Sequence, residues 1–415
     1  SIAPNPTVQI YSIPRVEGNA FSIYKEALIP IFLCVAIILG STLLYSHNNQ
    51  FYQYIIGLHS PIDKHEKCNL FEGQWIGVRN KSSLSSHQYT NSSCKTLPEK
   101  KNCLKNGRID RGFLDWRWQP KGCDLPSFDA LLFREIVRGK TMGFVGDSVG
   151  RNQMDSLLCL LSSMERPVEI YKDAKDRNVI YYFSGFNFTL RAIWTKYLAS
   201  GEERGNGTVD LRLEKMDDNW TKELRNLDYM IISAGQWFFR RIYVHQESKV
   251  VACVDCNDST VPLKGVDFAL QLTLRAAIGY ISECENCGNL VAIVRTLSPS
   301  HFENGGWNTG GRCESVEPIG EEEMDFRGVI WETRKKEVEE VRRVRKSRVK
   351  IIVMDVTKAM TMRPDGHPGA FWRENKKGSN DCVHWCLPGP IDLWNDFLLA
   401  LLTKRNSIIE TQNQN

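Results

Sequence analysis

The stretch TMGFVGDSVGRNQMDSL, residues 141–157, decides how this chain folds. Residues 141–145 form a short apolar run of the kind expected of a strand buried on both faces, and residues 150–163 carry helical apolar spacing. Between them Gly146-Asp147-Ser148 makes the turn. A strand running through a glycine turn straight into a helix is the repeating unit of α/β layers, where reacting groups gather at the carboxyl ends of strands. Taken singly the turn needs no function, since Asp147 or Ser148 serves as an ordinary N-cap. The C-terminal run Asp381-Cys382-Val383-His384 changes that reading. A serine hydroxyl is a poor nucleophile at neutral pH; it needs an imidazole to take its proton and a carboxylate to fix that imidazole's tautomer. Ser148, His384 and Asp381 supply the three groups.

Outward from this core, apolar runs at 179–183, 229–233, 290–295 and 349–354 predict further strands. Segments 264–281, 321–346 and 390–403 predict helices. The expectation is an α/β domain over 128–405 with a mainly parallel sheet and flanking helices. Pro388 and Pro390 forbid helix until about residue 391, so Asp381 and His384 lie on a constrained loop that Cys382 and Cys386 can tether. Asp381 and His384 also have the spacing of a metal-ligand pair, but no further ligand cluster stands beside them, and no metal is expected.

Residues 68–127, holding Cys68, Cys94, Cys103 and Cys123, show much turn punctuation and little helical periodicity, as in a disulfide-stapled subdomain of short strands. Trp116 and Trp118 there either pack inside or form a wall on which sugar rings stack. Ahead of this block, ALIPIFLCVAIILGSTLLY at 27–45 carries no charge and is long enough to cross a bilayer. The layout expected is a cytosolic tail over 1–26, a transmembrane signal anchor over 27–46, a stem over 47–67 and a tail over 406–415. The chain begins at Ser1 rather than Met, which leaves room for residues upstream.

Orientation comes from the residues beyond the anchor. Six N-glycosylation acceptors, at Asn80, Asn91, Asn187, Asn206, Asn219 and Asn257, all lie on its C-terminal side. Of thirteen cysteines only Cys34 sits within it; the other twelve include Cys159, Cys253, Cys256, Cys284, Cys287 and Cys313. An even set in an oxidising lumen can pair completely, which points to a single-pass type II membrane protein with a lumenal body. The two CxxC pairs, Cys253/Cys256 and Cys284/Cys287, resemble a zinc ribbon, yet that compartment favours cystines. A net charge of +4 from 53 basic and 49 acidic residues gives no argument for nucleic-acid binding. The nine basic residues over 334–350 read as a solvated helix face, with attraction to acidic pectin as the lesser reading.

Four stretches carry a family resemblance. Gly146-Asp147-Ser148-Val149-Gly150-Arg151-Asn152-Gln153, the Asp381 to Gly389 run, Trp116-Arg117-Trp118-Gln119-Pro120, and His301-Phe302-Glu303-Asn304-Gly305-Gly306-Trp307 resemble the plant TRICHOME BIREFRINGENCE-LIKE family, from about Cys68 to the last helix. That resemblance implies an SGNH/GDSL-like catalytic domain and a Golgi polysaccharide O-acetyltransferase. It also implies Ser148 as nucleophile, His384 as base and Asp381 as its orienter. Arg151, Trp116, Trp118, His301 and Trp307 are candidates for substrate contact. The oxyanion donors are expected among Ser148, Asn152, Gly235 and Gln236, although the family more often has His where Gln236 stands.

The expected reaction moves an acetyl group through an acetyl-serine onto a cell-wall glycan hydroxyl. Xyloglucan or mannan is favoured, with xylan or pectin as further acceptors. No bound cofactor is expected, but an acetyl donor is required, acetyl-CoA or another carrier; no Gly-rich phosphate cradle marks where it sits. An acetyl esterase would use the same three residues with water as acceptor. A noncatalytic glycan-binding protein is the third reading.

Overall fold

Successive residues of the apolar runs face opposite cores. The computed structural model describes residues 68–78, 89–372 and 379–413; the expected tail, anchor and stem over 1–67, and Asn80, lie outside the described residues. No helix among the described residues is long and apolar enough to cross a membrane. Residues from Cys68 onward form one compact unit.

The unit opens with an antiparallel pair, β1 (Asn69–Gly77) and β2 (Trp116–Lys121). Helix α1 (Ala130–Val137) leads to β3 (Thr141–Gly146) and α2 (Ser148–Ser162). Then come β4 (Val168–Lys172), β5 (Val179–Phe183), β6 (Phe188–Trp194), β7 (Ala199–Glu203), β8 (Val209–Met216), β9 (Tyr229–Ser233), β10 (Ile242–Gln246), β11 (Lys249–Val254) and β12 (Leu263–Lys264). Helix α3 (Val266–Ser282), β13 (Val291–Arg295), α4 (Val329–Arg343), β14 (Lys350–Met354) and α5 (Leu393–Asn413) complete the order of the longer elements.

The central sheet has seven strands in the order β14-β13-β9-β3-β6-β5-β4, parallel from β14 to β6 and antiparallel at the β5 and β4 edge. Phe144, Ile231 and Ile293 point into one core with α1, α2 and α5. Their neighbours Val145, Ile232 and Val294 point into a second core, built with α3, α4 and a five-stranded sheet of order β12-β11-β10-β8-β7. A sheet covered on both faces needs apolar residues at consecutive positions, which is the pattern of these runs.

Three elements differ from expectation. The run at 179–183 is an antiparallel strand next to the edge, with its middle residues half-buried. The segment 321–346 is broken: a 3-10 turn at Glu321–Glu323 precedes α4, and Gly328, at φ 87°, makes the break. Likewise a 3-10 turn at Pro390–Asp392 precedes α5.

Two strands alone bury too little to be stable, so β1 and β2 lean on the larger core. Trp75 and Trp118 pack edge to face at 5.8 Å, Trp75 Nε1 donates to the Ala359 carbonyl at 2.8 Å, and Trp118 Nε1 donates to that of Leu70 at 2.9 Å. Trp118, 1% exposed, is therefore a core residue and not a wall for sugars. Trp116 packs half-buried against the same core.

Among the described residues six disulfides join Cys68–Cys123, Cys94–Cys159, Cys103–Cys386, Cys253–Cys256, Cys284–Cys287 and Cys313–Cys382. Both CxxC pairs close on themselves. The asparagines at 91, 187, 206, 219 and 257 are all exposed.

Candidate active site

Gly146 ends β3 at φ 152°, and a Cβ there would stand 1.8 Å from the Ser233 carbonyl oxygen. Only glycine permits this approach of β3 to β9. The chain then turns into α2, which Asp147 caps by accepting from the N–H of Val149 at 3.0 Å and of Gly150 at 3.4 Å. Ser148 is the first helical residue, half-exposed, at the positive end of the helix. Asp147 caps and Ser148 projects, so the capping reading and the nucleophile reading hold for adjacent residues.

Asp381 and His384 meet on the loop before α5. His384 Nδ1 donates to Asp381 Oδ2 at 2.8 Å, while Asp381 Oδ1 accepts from the N–H of Val383 at 3.1 Å and of His384 at 3.0 Å. Burial pulls Asp381 up, but the charge and N–H groups of His384, with that of Val383, outweigh it and hold the carboxyl well below the usual range. With Nδ1 turned to the carboxylate, Nε2 is the nitrogen of His384 left to exchange a proton. That nitrogen is buried and has no hydrogen-bond partner among the described residues.

The loop is fastened at several points. Cys313–Cys382 and Cys103–Cys386 flank His384, and Gly369 bridges to Asp381. Asn152, one turn along α2 from Ser148, accepts from the Trp385 N–H at 2.8 Å and donates to its carbonyl at 3.3 Å. This side chain clips the histidine loop to the helix that Ser148 begins, and the charge of His384 bears on Asp147. Ser148 Oγ and His384 Nε2 share no hydrogen bond in this structure. Catalytic contacts of this type are often long before substrate binds.

Two further histidines support the loop. His367 Nδ1 donates to the His384 carbonyl at 2.7 Å, its ring stacks on Trp385 at 4.1 Å, and its Nε2 lies 2.7 Å from His301 Nδ1. Burial holds both rings neutral, pushing His301 down to about 4 and His367 down to about 3. Below the nucleophile turn the buried Arg295 donates to Ser233 Oγ and to the Thr296 carbonyl, with its charge felt by Asp147 and Glu337. Burial raises Asp147 against the pull of Arg295, and raises Glu337 to about 8.

Several expected contacts are placed otherwise. Asn152 is fully buried and holds both polar groups of the Trp385 backbone, so it clips the histidine loop to α2. Both ring nitrogens of His301 are engaged, with His367 and with the Thr361 carbonyl. Arg151 pairs with Asp155 at 2.8 Å and reaches Asp176 at 3.4 Å. Gly235, at φ 139°, opens the 3-10 turn Gln236–Phe238, and Gln236 Nε2 donates to the Ser298 carbonyl at 2.6 Å. Ser298 Oγ in turn accepts from Trp385 Nε1 at 2.9 Å, which links the Gln236 turn to the histidine loop. Trp307 is 64% exposed. His367, Ser298 and Arg295 were not foreseen; each is a lone residue in its segment, and only the fold gives it a partner.

Comparison with known proteins shows the family of the chain. Residues 125–401 match the PC-Esterase model, described as a GDSL/SGNH-like acyl-esterase family found in Pmr5 and Cas1p, and residues 66–124 match the PMR5 N-terminal domain. The chain is 52% identical over 356 residues to xyloglucan O-acetyltransferase 4 of Populus trichocarpa, covering 84% of each. It is 46% identical over 361 residues to xyloglucan O-acetyltransferase 2 of Arabidopsis thaliana, covering 84% of this chain and 86% of that one. Protein trichome birefringence-like 20 of Arabidopsis thaliana is 41% identical over 354 residues, 82% of this chain and 73% of its own.

Proposed function

The chain belongs to the PC-Esterase family, among its trichome birefringence-like members, and on that premise we propose that it is an O-acetyltransferase acting on xyloglucan through an acetyl-serine. One observation carries the mechanism: Asp381 holds His384 through Nδ1 and leaves Nε2 without a partner among the described residues, on a loop clipped to the helix that Ser148 begins. His384 Nε2 takes the proton of Ser148 Oγ as that oxygen bonds to the donor's acetyl carbon. The bond from that carbon to the donor's leaving atom breaks, and the leaving atom receives the proton from His384. A sugar hydroxyl then gives its proton to His384 while its oxygen attacks the acetyl-serine carbonyl. Ser148 Oγ departs and takes that proton back. The donors proposed for the oxyanion of each tetrahedral intermediate are N–H groups of the first turn of α2 and of the 235–236 turn, which follow the neighbouring strands β3 and β9.

The acceptor is read from the names of the relatives at 46% to 52% identity. The compartment, a Golgi membrane with the catalytic body in the lumen, is read from the uncharged run over 27–45 and the sequons and cysteines beyond it. To test the reaction, the full chain is incubated with acetyl-coenzyme A and an unacetylated xyloglucan oligosaccharide. A mass gain of one acetyl, absent with Ser148→Ala, is expected. Acetate release from acetylated glycan without transfer identifies an esterase, and glycan binding without turnover identifies a binding protein.

A further inference from the structure

Two tryptophans flank the nucleophile turn at the strand ends, and three cations sit on them. Trp194 ends β6 opposite Gly146 in the parallel register, and Trp237 lies in the turn after β9, whose Ser233 pairs with Gly146 from the other side. The rings meet edge to face at 6.2 Å. Arg177 lies 5.1 Å over Trp194, and Lys196 and Arg240 each lie 4.5 Å from the centre of Trp237. A cleft of about 220 Å³ opens beside them, lined by Arg177, Trp194, Lys196, Tyr197 and Asp217 among others.

The chemistry of this cluster is that of an anion site. Ring faces occupied by cations are not free to stack on sugars; what they do is hold the cations in place. Glu203 pairs with Lys196 and lies 3.9 Å from Arg240, while the exposed Arg177 has no ion-pair partner among the described residues. Asp217, which also lines the cleft, caps a short helix by accepting from the Asn219 N–H. Cations therefore exceed carboxylates around these two rings. A glucan acceptor is uncharged and gives such a set nothing to bind, whereas an activated acetyl carrier that bears phosphates does.

Resting on the transferase reading above, we propose that Arg177, Lys196 and Arg240 hold the phosphate-bearing part of the acetyl donor, an acetyl thioester of a phosphorylated carrier, with its acetyl end toward Ser148. The full chain is assayed with a xyloglucan oligosaccharide and either acetyl-coenzyme A or the uncharged p-nitrophenyl acetate. For Arg177→Gln, the ratio of kcat/KM with acetyl-coenzyme A to that with the uncharged ester falls about tenfold, as expected for one lost charge-assisted contact. Arg177→Lys keeps most of the ratio. Added salt raises the acetyl-coenzyme A KM of the wild type more than that of Arg177→Gln.

A ratio within twofold of wild type for Arg177→Gln, Lys196→Gln and Arg240→Gln alike overturns the proposal. So does a rise in the KM of the oligosaccharide in place of the donor. If the wild type transfers acetyl from neither donor, the transferase reading itself fails and this inference falls with it.

Discussion

Asp381 does two jobs with two oxygens: Oδ1 closes the loop on its own backbone and Oδ2 sets the tautomer of His384. Asp381→Asn keeps the size and the loop contacts but presents an amide N–H or a neutral oxygen to Nδ1. We expect kcat to fall about 10³ to 10⁴-fold, as when the orienting carboxylate of a Ser-His-Asp triad is replaced, with an unchanged melting curve as the check on fold. His367 acts one step further back, through the carbonyl of His384 and the stack on Trp385. His367→Phe keeps the stack and removes the N–H, leaving that carbonyl unpaired. Its expected mark is a fall in kcat with the acceptor KM held near wild type, read from initial rates. Ser148, Asp381 and His384 could be picked out in the sequence because each lies in a short run of unusual local chemistry. His367 could not, because an isolated histidine between turn residues is distinguished only by a partner seventeen positions away.

Among elements, the decisive contact is between α2 and the histidine loop. Asn152 pairs with both polar groups of the Trp385 backbone as a strand neighbour would, and all three groups are buried. Asn152→Leu leaves a buried N–H and carbonyl without partners, each at a cost of about 1–3 kcal/mol, so chemical denaturation should show that loss together with reduced turnover. Cys313–Cys382 ties the same loop to the segment carrying Trp307. The double variant Cys313→Ser/Cys382→Ser is expected to lose roughly 2–4 kcal/mol, read as a lower denaturant midpoint. The turn over 146–148 and the strands of the parallel half were legible because strands buried on both faces and glycine turns have local signatures. The strand Phe188–Trp194 and the five-stranded sheet were not: their mixed polar and apolar residues take on meaning only when neighbours cover one side.

Across the whole molecule, buried ionisable groups set a dome of stability against pH. Burial raises Glu337 to about 8 and Asp392 to about 6. Each then holds its proton more tightly folded than unfolded, so the stability it contributes is complete below the unfolded value and is lost as pH rises through the folded one. His301 and His367, lowered to about 4 and about 3, act from the other side: their contribution is present above the unfolded value near 6.5 and is lost as pH falls. Above about 6.5, where the histidine contribution is complete, melting temperature is therefore expected to fall as pH rises to about 8, and Glu337→Gln to flatten that limb, since the amide still accepts from Leu297 and has no proton to lose. A melting curve of the variant with the same pH slope as wild type would remove Glu337 as its source.

By itself the sequence determined the α/β class, the glycine turn with its serine, and the aspartate and histidine of the C-terminal run, because each is written in residues adjacent along the chain. Tertiary structure alone decided which cysteines pair, which tryptophan is core, that Asn152 is a clip, and that His301 and His367 stand together behind His384. Apart from the two CxxC bridges, three positions long, those are facts of contact between residues tens to hundreds of positions apart, and chain order does not encode a distance in space.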